Sequence, residues 1–224
     1  PYKNGIEYLF QALESVFKQT YKNYKIVIIY DNECKTDLKK IHKFINFKNK
    51  KNSFSIKVEN NKKNLGAGYS RNKGIKNALT KYIAFLDADD IWKNNKLKTQ
   101  VAFMEKKKLM FSHTSYIIIN EYNTKISSRL AKKKITFSIS TKEDFVLWLK
   151  IIQKTEVLLG IYKSLSYYRK TKNSLSSNRC ISLINGYKVY RDYMKFSKVK
   201  SILSLLILSL SYFKKNLVNN KSYL

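Results

Sequence analysis

Tyr82-Ile83-Ala84-Phe85-Leu86-Asp87-Ala88-Asp89-Asp90 runs an unbroken apolar stretch straight into a cluster of carboxylates. A short apolar run ended by turn-forming acids predicts a strand buried on both faces, the kind that parallel sheets produce. Lys25-Ile26-Val27-Ile28-Ile29-Tyr30 repeats the pattern and stops at Asp31-Asn32. Working outward, apolar residues at Ile6, Leu9, Phe10, Leu13, Val16 and Phe17 have the three-to-four spacing of an amphipathic helix. A helical stretch over 37–47, a strand over 54–59, a Gly-containing loop over 64–68 and a helix over 69–79 fill the interval between the two apolar runs. Strands alternating with helices predict βαβ units and an open α/β sheet. Ligands of such sheets sit outside the carboxyl ends of the strands. Asp31 and the acids from Asp87 to Asp90 should therefore face one crevice, with Arg71 on a loop or helix entering the same place.

The 224 residues, 44% of them hydrophobic, suffice for one α/β domain and a short tail. With six Gly and a single Pro, no linker or low-complexity block marks a boundary. Lys and Arg number 45 against 15 acids, a net charge of +30. That balance suits an anionic partner: nucleic acid, lipid headgroups or a phosphorylated substrate. Spread along the whole length, the lysines also read simply as a solvated basic surface. Cys34 and Cys180 form no CxxC pair and only His42 and His113 carry imidazole, so a zinc cage or thiol redox motif is not expected. Pro1 follows no basic-then-apolar leader, and no signal peptide is read. The longest apolar stretch, Ile202 to Phe213, falls short of the roughly 20 residues that span a bilayer. Flanked by Lys198, Lys200, Lys214 and Lys215, it reads either as a packing helix or as an interfacial one.

Asp87-x-Asp89 after a strand offers hard oxygen ligands suited to Mg²⁺ or Mn²⁺, with a diphosphate supplying further oxygens. Equally, acids are common in turns. Asp31 reads as a turn or capping residue, or as an acceptor for a nucleobase. Arg71 suits a surface ion pair or phosphate neutralisation through its planar fork.

In their shared order these segments resemble family 2 inverting glycosyltransferases of GT-A fold, of the bacterial polysaccharide type. Pro1-Tyr2, Tyr8-Leu9 and Ala12 to Tyr21 look like the family's opening helix, and Ile28-Ile29-Tyr30-Asp31-Asn32 like the strand ending in an acidic pair. Asn64-x-Gly66-x-x-x-Ser70-Arg71-Asn72-x-Gly74 resembles the loop and helix before the metal site. Tyr82 to Trp92 resembles the DxD segment, followed by Lys96-Leu97-x-x-Gln100. Glu143-Asp144-Phe145-x-Leu147-Trp148-Leu149 looks like the motif that supplies the catalytic base. The resemblance implies a Rossmann-like open mixed sheet flanked by helices, with the first strand apparently missing ahead of Pro1. A GT-A domain would occupy 1–160, and 161–224 would be a C-terminal helical tail resting on a membrane surface.

By the same resemblance Pro1, Tyr2, Asp31, Arg71 and Asp87 would bind the nucleotide-sugar, Asp89 the Mn²⁺ or Mg²⁺, and Asp144 would take the acceptor's proton. Glu143 and Asp144 also read as acids in the first turn of a helix. Asn32 stands in place of the second acid of the strand-end pair, and the interval from Phe137 to Glu143 is short. Thr171, in Tyr168-Arg169-Lys170-Thr171, stands about where many relatives carry a histidine. The implied reaction transfers a sugar with inversion to a glycan or lipid-linked acceptor, in the cytoplasm or at the inner face of the membrane. A non-catalytic donor-binding domain is the alternative; a nucleic-acid binder, suggested by the charge and 17 Tyr, has no motif behind it.

Overall fold

The computed structural model describes residues 1–50, 54–131, 134–135, 158–171 and 179–220. Two compact units emerge, the first comprising Pro1–Leu109, Thr114–Ala131 and Ile161–Lys170.

The opening helix α1 (Ile6–Phe17) takes the span that its periodicity predicts and buries Leu9, Leu13, Val16 and Phe17. Gly5 precedes it with φ 78, a left-handed conformation that a side chain would strain. Strands β1 (Ile26–Tyr30) and β2 (Ile56–Asn60) pair in parallel, Ile28 opposite Val58, and α2 (Lys35–Asn49) carries the chain between them. Leu9, Leu13 and Phe17 of α1 meet Ile41 and Ile45 of α2 and Ile28 and Tyr30 of β1 in one apolar cluster. Phe10 stacks on Phe44 at 4.2 Å and Phe17 on Phe54 at 4.4 Å. Each aliphatic side chain so buried contributes roughly 1.5–3 kcal/mol, which fixes β1 as the rigid floor of the unit. On the edge of β1 away from β2, the Tyr2 N–H donates to the Ile29 carbonyl at 2.8 Å and its carbonyl accepts from the Asp31 N–H at 2.7 Å.

The strand predicted over 82–86 is corrected. Residues 82–86 belong to no sheet, and Ile83 and Phe85 are each 44% exposed. A ladder needs a neighbour whose N–H and C=O groups complete it, and among the described residues none pairs with this segment. An apolar run reports burial propensity but not the presence of a partner. Strand β3 (Ile91–Trp92) follows the acidic turn and α4 (Lys96–Lys107) follows β3. Next come β4 (Ser112–Ile119), β5 (Lys125–Arg129), β6 (Lys134–Ile135) and β7 (Leu158–Arg169). They form a second sheet in the order β3-β7-β4-β5, with β6 on β7. The architecture is α/β, as predicted, with helices and, among the described residues, two hydrogen-bonded sheets. The expected division at residue 160 falls inside β7, and Ile161 to Lys170 belong to the first unit.

In the second unit α5 (Arg179–Lys188) runs into a π-helical turn (Val189–Tyr193), and α6 (Lys198–Asn220) follows. Val189 and Tyr190 pack with Met194, Phe196 and Leu205. A Cβ at Gly186 would stand 2.8 Å from Leu205 Cδ1, the end of a side chain that would have to turn aside. Among the described residues no helix is long and apolar enough to cross a membrane.

Candidate functional site

Asp31 leaves the carboxyl end of β1 and is 3% exposed. Its Oδ1 accepts from Asn61 Nδ2 and the Leu65 N–H, both at 2.8 Å, and Oδ2 accepts from the Gly66 N–H at 2.8 Å. Burial alone would raise its pKa; Asn61, the Leu65 and Gly66 amides and Ser70 together outweigh that and hold it below the ordinary carboxylate value. Gly66, at φ 88, is the residue from which helix α3 (Ala67–Lys76) starts. Asp31 thereby pins the loop that launches α3, and α3 carries Arg71.

Arg71 Nη2 meets Asp87 Oδ1 at 2.7 Å, with side chains 26% and 45% exposed. The pair joins α3 to the acidic turn while both groups remain open to solvent, and at that exposure its own contribution to stability is small. The Pro1 nitrogen lies within electrostatic reach of Asp87, Arg71 and Asp31. Four of the sequence-predicted residues, Pro1, Asp31, Arg71 and Asp87, are thus within electrostatic reach of one another beyond the carboxyl end of β1. Tyr2 does not join them: it is 1% exposed, stacked on Tyr30 at 5.5 Å, and its hydroxyl donates to Asp37 Oδ2 at 2.7 Å. Both of its backbone groups are taken by β1, which it extends by one parallel bridge to Tyr30.

The turn itself is closed by the Asp90 N–H on the Asp87 carbonyl at 3.1 Å. Burial raises the pKa of Asp89, Asp87 adds to the rise and Arg169 opposes it. Burial likewise pushes Asp90 up, to about 8, against the Arg169 amide that donates to its Oδ1 at 2.9 Å. Desolvated carboxylates crowded in one turn favour an added cation, and their hard oxygens fit Mg²⁺ or Mn²⁺. Among the described residues no three His, Cys, Asp or Glu side chains are grouped to hold a metal unaided. A cation at Asp89 would therefore draw further oxygens from its ligand. Asp144 and Glu143 lie outside the described residues.

Several residues of the site's frame were not read from the sequence. Ser15 Oγ accepts from the Trp92 N–H at 3.0 Å. Gln19, fully buried, donates to the Lys93 carbonyl at 2.7 Å and accepts from the Leu97 N–H at 3.0 Å. Arg169 Nε donates to the Asp89 carbonyl at 2.9 Å. The available signal was a polar residue on the apolar face of α1, and an arginine ending an aromatic-rich strand. A surface concavity lined by Glu14, Phe17, Lys18, Tyr24, Lys48 and Ser55 lies instead at the amino ends of β1 and β2, away from these acids.

The family model described as Glycosyl transferase family 2 matches residues 1–174. The Escherichia coli protein WfaP, a UDP-Glc:alpha-D-GlcNAc-diphosphoundecaprenol beta-1,3-glucosyltransferase, is 31% identical over 209 residues, covering 82% of this chain and 80% of that protein. An uncharacterized glycosyltransferase of Rickettsia felis is 32% identical along the whole chain, which spans 41% of that relative's length. Among solved structures, S. aureus TarS 1-349 superposes with a TM-score of 0.64 at 17% identity, covering 96% of this chain and 70% of that one. The same S. aureus protein in complex with UDP gives 0.61 over 93% and 68%. The structural likeness speaks for the fold and the family match for the descent: the chain belongs to glycosyl transferase family 2 and has its GT-A fold.

Proposed function

We propose that this chain is the donor-binding part of a glycosyltransferase that moves a sugar from a nucleoside diphosphate to a glycan or lipid-linked acceptor, with inversion. The observation that carries the reading is the convergence of Asp31, Arg71 and Asp87 beside the Asp89 turn, beyond the carboxyl end of β1. Asp31 is the acceptor for the N–H of a base, in exchange for one of the donors it now holds, Arg71 supplies positive charge for a phosphate, and Asp87 holds Arg71 in place. Asp89 is the residue to hold Mn²⁺ or Mg²⁺, which when bound would neutralise charge on the diphosphate. Asp144 acts as base: the acceptor hydroxyl attacks the anomeric carbon, its proton passes to the carboxylate, and the bond to the nucleoside diphosphate breaks. An ordinary Asp pKa of about 4 leaves such a base ionised at neutral pH. The name of the E. coli relative, with its UDP-glucose donor and lipid-diphosphate acceptor, makes those the first compounds to try. The chain would work in the cytoplasm with α6 resting on the inner membrane surface.

The test pairs binding with transfer. UDP-glucose plus Mn²⁺ should protect the protein against thermal unfolding by mass action, and Asp89→Ala should abolish the Mn²⁺-dependent part while the protein still folds. Asp144→Asn should retain that protection yet lower transfer by about 10²–10⁴. Near-normal transfer by Asp144→Asn with a slightly lowered melt would leave Asp144 a helix-terminal acid only, worth roughly 0.3–1 kcal/mol.

A further inference from the structure

Arg169 is 1% exposed, and its guanidinium is surrounded on every side by oxygens of three different elements. Nε donates to the Asp89 carbonyl at 2.9 Å. Nη1 donates to the Asn120 and Glu121 carbonyls, each at 3.3 Å, and to Asn123 Oδ1 at 2.8 Å. Nη2 donates to Gln11 Oε1 at 2.8 Å, and the whole group lies 4.6 Å from the centre of the Tyr8 ring. The backbone of the same residue reaches the turn a second time, its N–H on Asp90 Oδ1.

These acceptors are neutral oxygens, so the contacts do not form a paired ion bridge. Burying a charge in that way is costly unless its donors are fully used. The arrangement instead matches what arginine alone offers, five donors in a rigid plane that can fix several backbones at once. Two of the anchors are themselves rigid. In the β4–β5 turn Asn120 Oδ1 accepts from the Tyr122 and Thr124 amides, both at 2.9 Å, and Asn123 sits at φ 63; α1, which brings Gln11 and Tyr8, is packed on β1.

We propose that Arg169 is the positioning residue of the acidic turn: it ties Asp89 and Asp90 to the β4–β5 turn and to α1, and so sets the direction in which the Asp89 carboxylate points. The inference rests on the reading of Asp89 as a metal ligand only for its consequence in metal binding; the mechanical part stands without it. Groups that orient a ligand from behind are typically worth about 10–100-fold in metal affinity.

The experiment uses the full chain with UDP, Mn²⁺ and EDTA, together with amide hydrogen exchange. Arg169→Lys keeps the charge but presents its donors from one atom, so it cannot reach the turn, Asn123 and Gln11 together. Exchange at 87–92 should accelerate by about tenfold or more while β1 stays protected. The Mn²⁺-dependent affinity for UDP should fall about 10–100-fold, with affinity in EDTA unchanged. Asn123→Gly, which suits φ 63 and leaves Arg169 in place, should produce the same pattern more weakly. Asn123 makes no hydrogen bond to the turn among those described, so an effect there would pass through Arg169. Exchange that is unchanged at 87–92, or that rises equally in β1, overturns the proposal in either variant. If the wild type binds UDP identically with and without Mn²⁺, the metal reading of Asp89 fails. The exchange arm then still decides, acceleration confined to the turn upholding the positioning role and its absence refuting it.

Discussion

Lys96 is 8% exposed, and its ammonium donates to Gln100 Oε1 at 2.7 Å and lies 5.2 Å from the centre of the Trp92 ring. Burial lowers its pKa from 10.5 to about 8. Because the unfolded chain holds this proton up to the higher value, the penalty of the buried charge is fully present below pH 8, and stability is regained as pH climbs from there toward 10.5. Lys96→Met should therefore melt above the wild type at pH 7, by an amount on the order of 1–3 kcal/mol. The gap should close as pH is raised toward 10; a gap independent of pH would show that the amine is solvated. At this scale the sequence speaks unevenly. Asp31, Arg71 and Asp87 are legible because they follow apolar runs or sit in a quoted order with them, and the structure brings all three together. Tyr2 is not legible, since nothing in a chain start reveals that both its backbone groups and its hydroxyl will be consumed by neighbours. Gln19 and Arg169 escape notice for a related reason: their acceptors lie far along the chain, at Lys93 and Asn120.

Helix α1 was the most readable element, because an apolar stripe at helical spacing needs nothing beyond itself to be recognised. Residues 82–86 show the converse. Their composition matches β1, yet a strand exists only where a neighbour completes the ladder, and periodicity carries no record of that neighbour. Elements β4 and β7 were missed because Ser112, His113, Thr114 and Ser115 open β4 without an apolar pattern, and Gly160, Lys163, Ser164 and Ser166 interrupt the apolar pattern inside β7. What joins α1 to the corner between β3 and α4 is a polar staple, Gln19 on the Lys93 carbonyl and the Leu97 amide, with Ser15 on the Trp92 amide. Gln19→Ala would leave the part-buried Leu97 N–H without this acceptor and the Lys93 carbonyl with only the Lys96 N–H, a loss of about 1–2 kcal/mol. For a chain of this size that lowers the melting temperature by roughly 2–4 °C per kcal/mol. The measurement is a melt beside hydrogen exchange of the first turn of α4, which should lose protection first; equal loss across α1 and α4 would point to a general packing defect instead.

Over the whole molecule the net charge of +30 dominates, and a charge of this sign favours anionic partners without naming one. The distribution of apolar surface on α6 narrows the choice. Val199, Ile202, Leu203, Leu206, Ile207 and Leu210 are each at least half exposed, and Lys198 and Lys200 stand exposed at the start of the same helix. A helix with apolar side chains open to solvent beside lysines suits the boundary of an anionic bilayer, where apolar burial and headgroup attraction act together. Binding to vesicles containing phosphatidylglycerol should therefore be reversible and weaken as salt rises, since screening shortens from about 10 Å at 0.1 M to about 3 Å at 1 M. Leu203→Lys with Leu206→Lys adds charge but removes apolar area. If electrostatics alone held the chain, this double variant would bind more tightly. If the helix must insert its apolar side, binding should drop by about tenfold or more, each 1.4 kcal/mol counting for one decade. Since both leucines are exposed, the melt should barely move, so a loss of vesicle binding would not be attributable to unfolding. Equal partition of the wild type onto neutral vesicles in high salt would remove the case for an anionic surface.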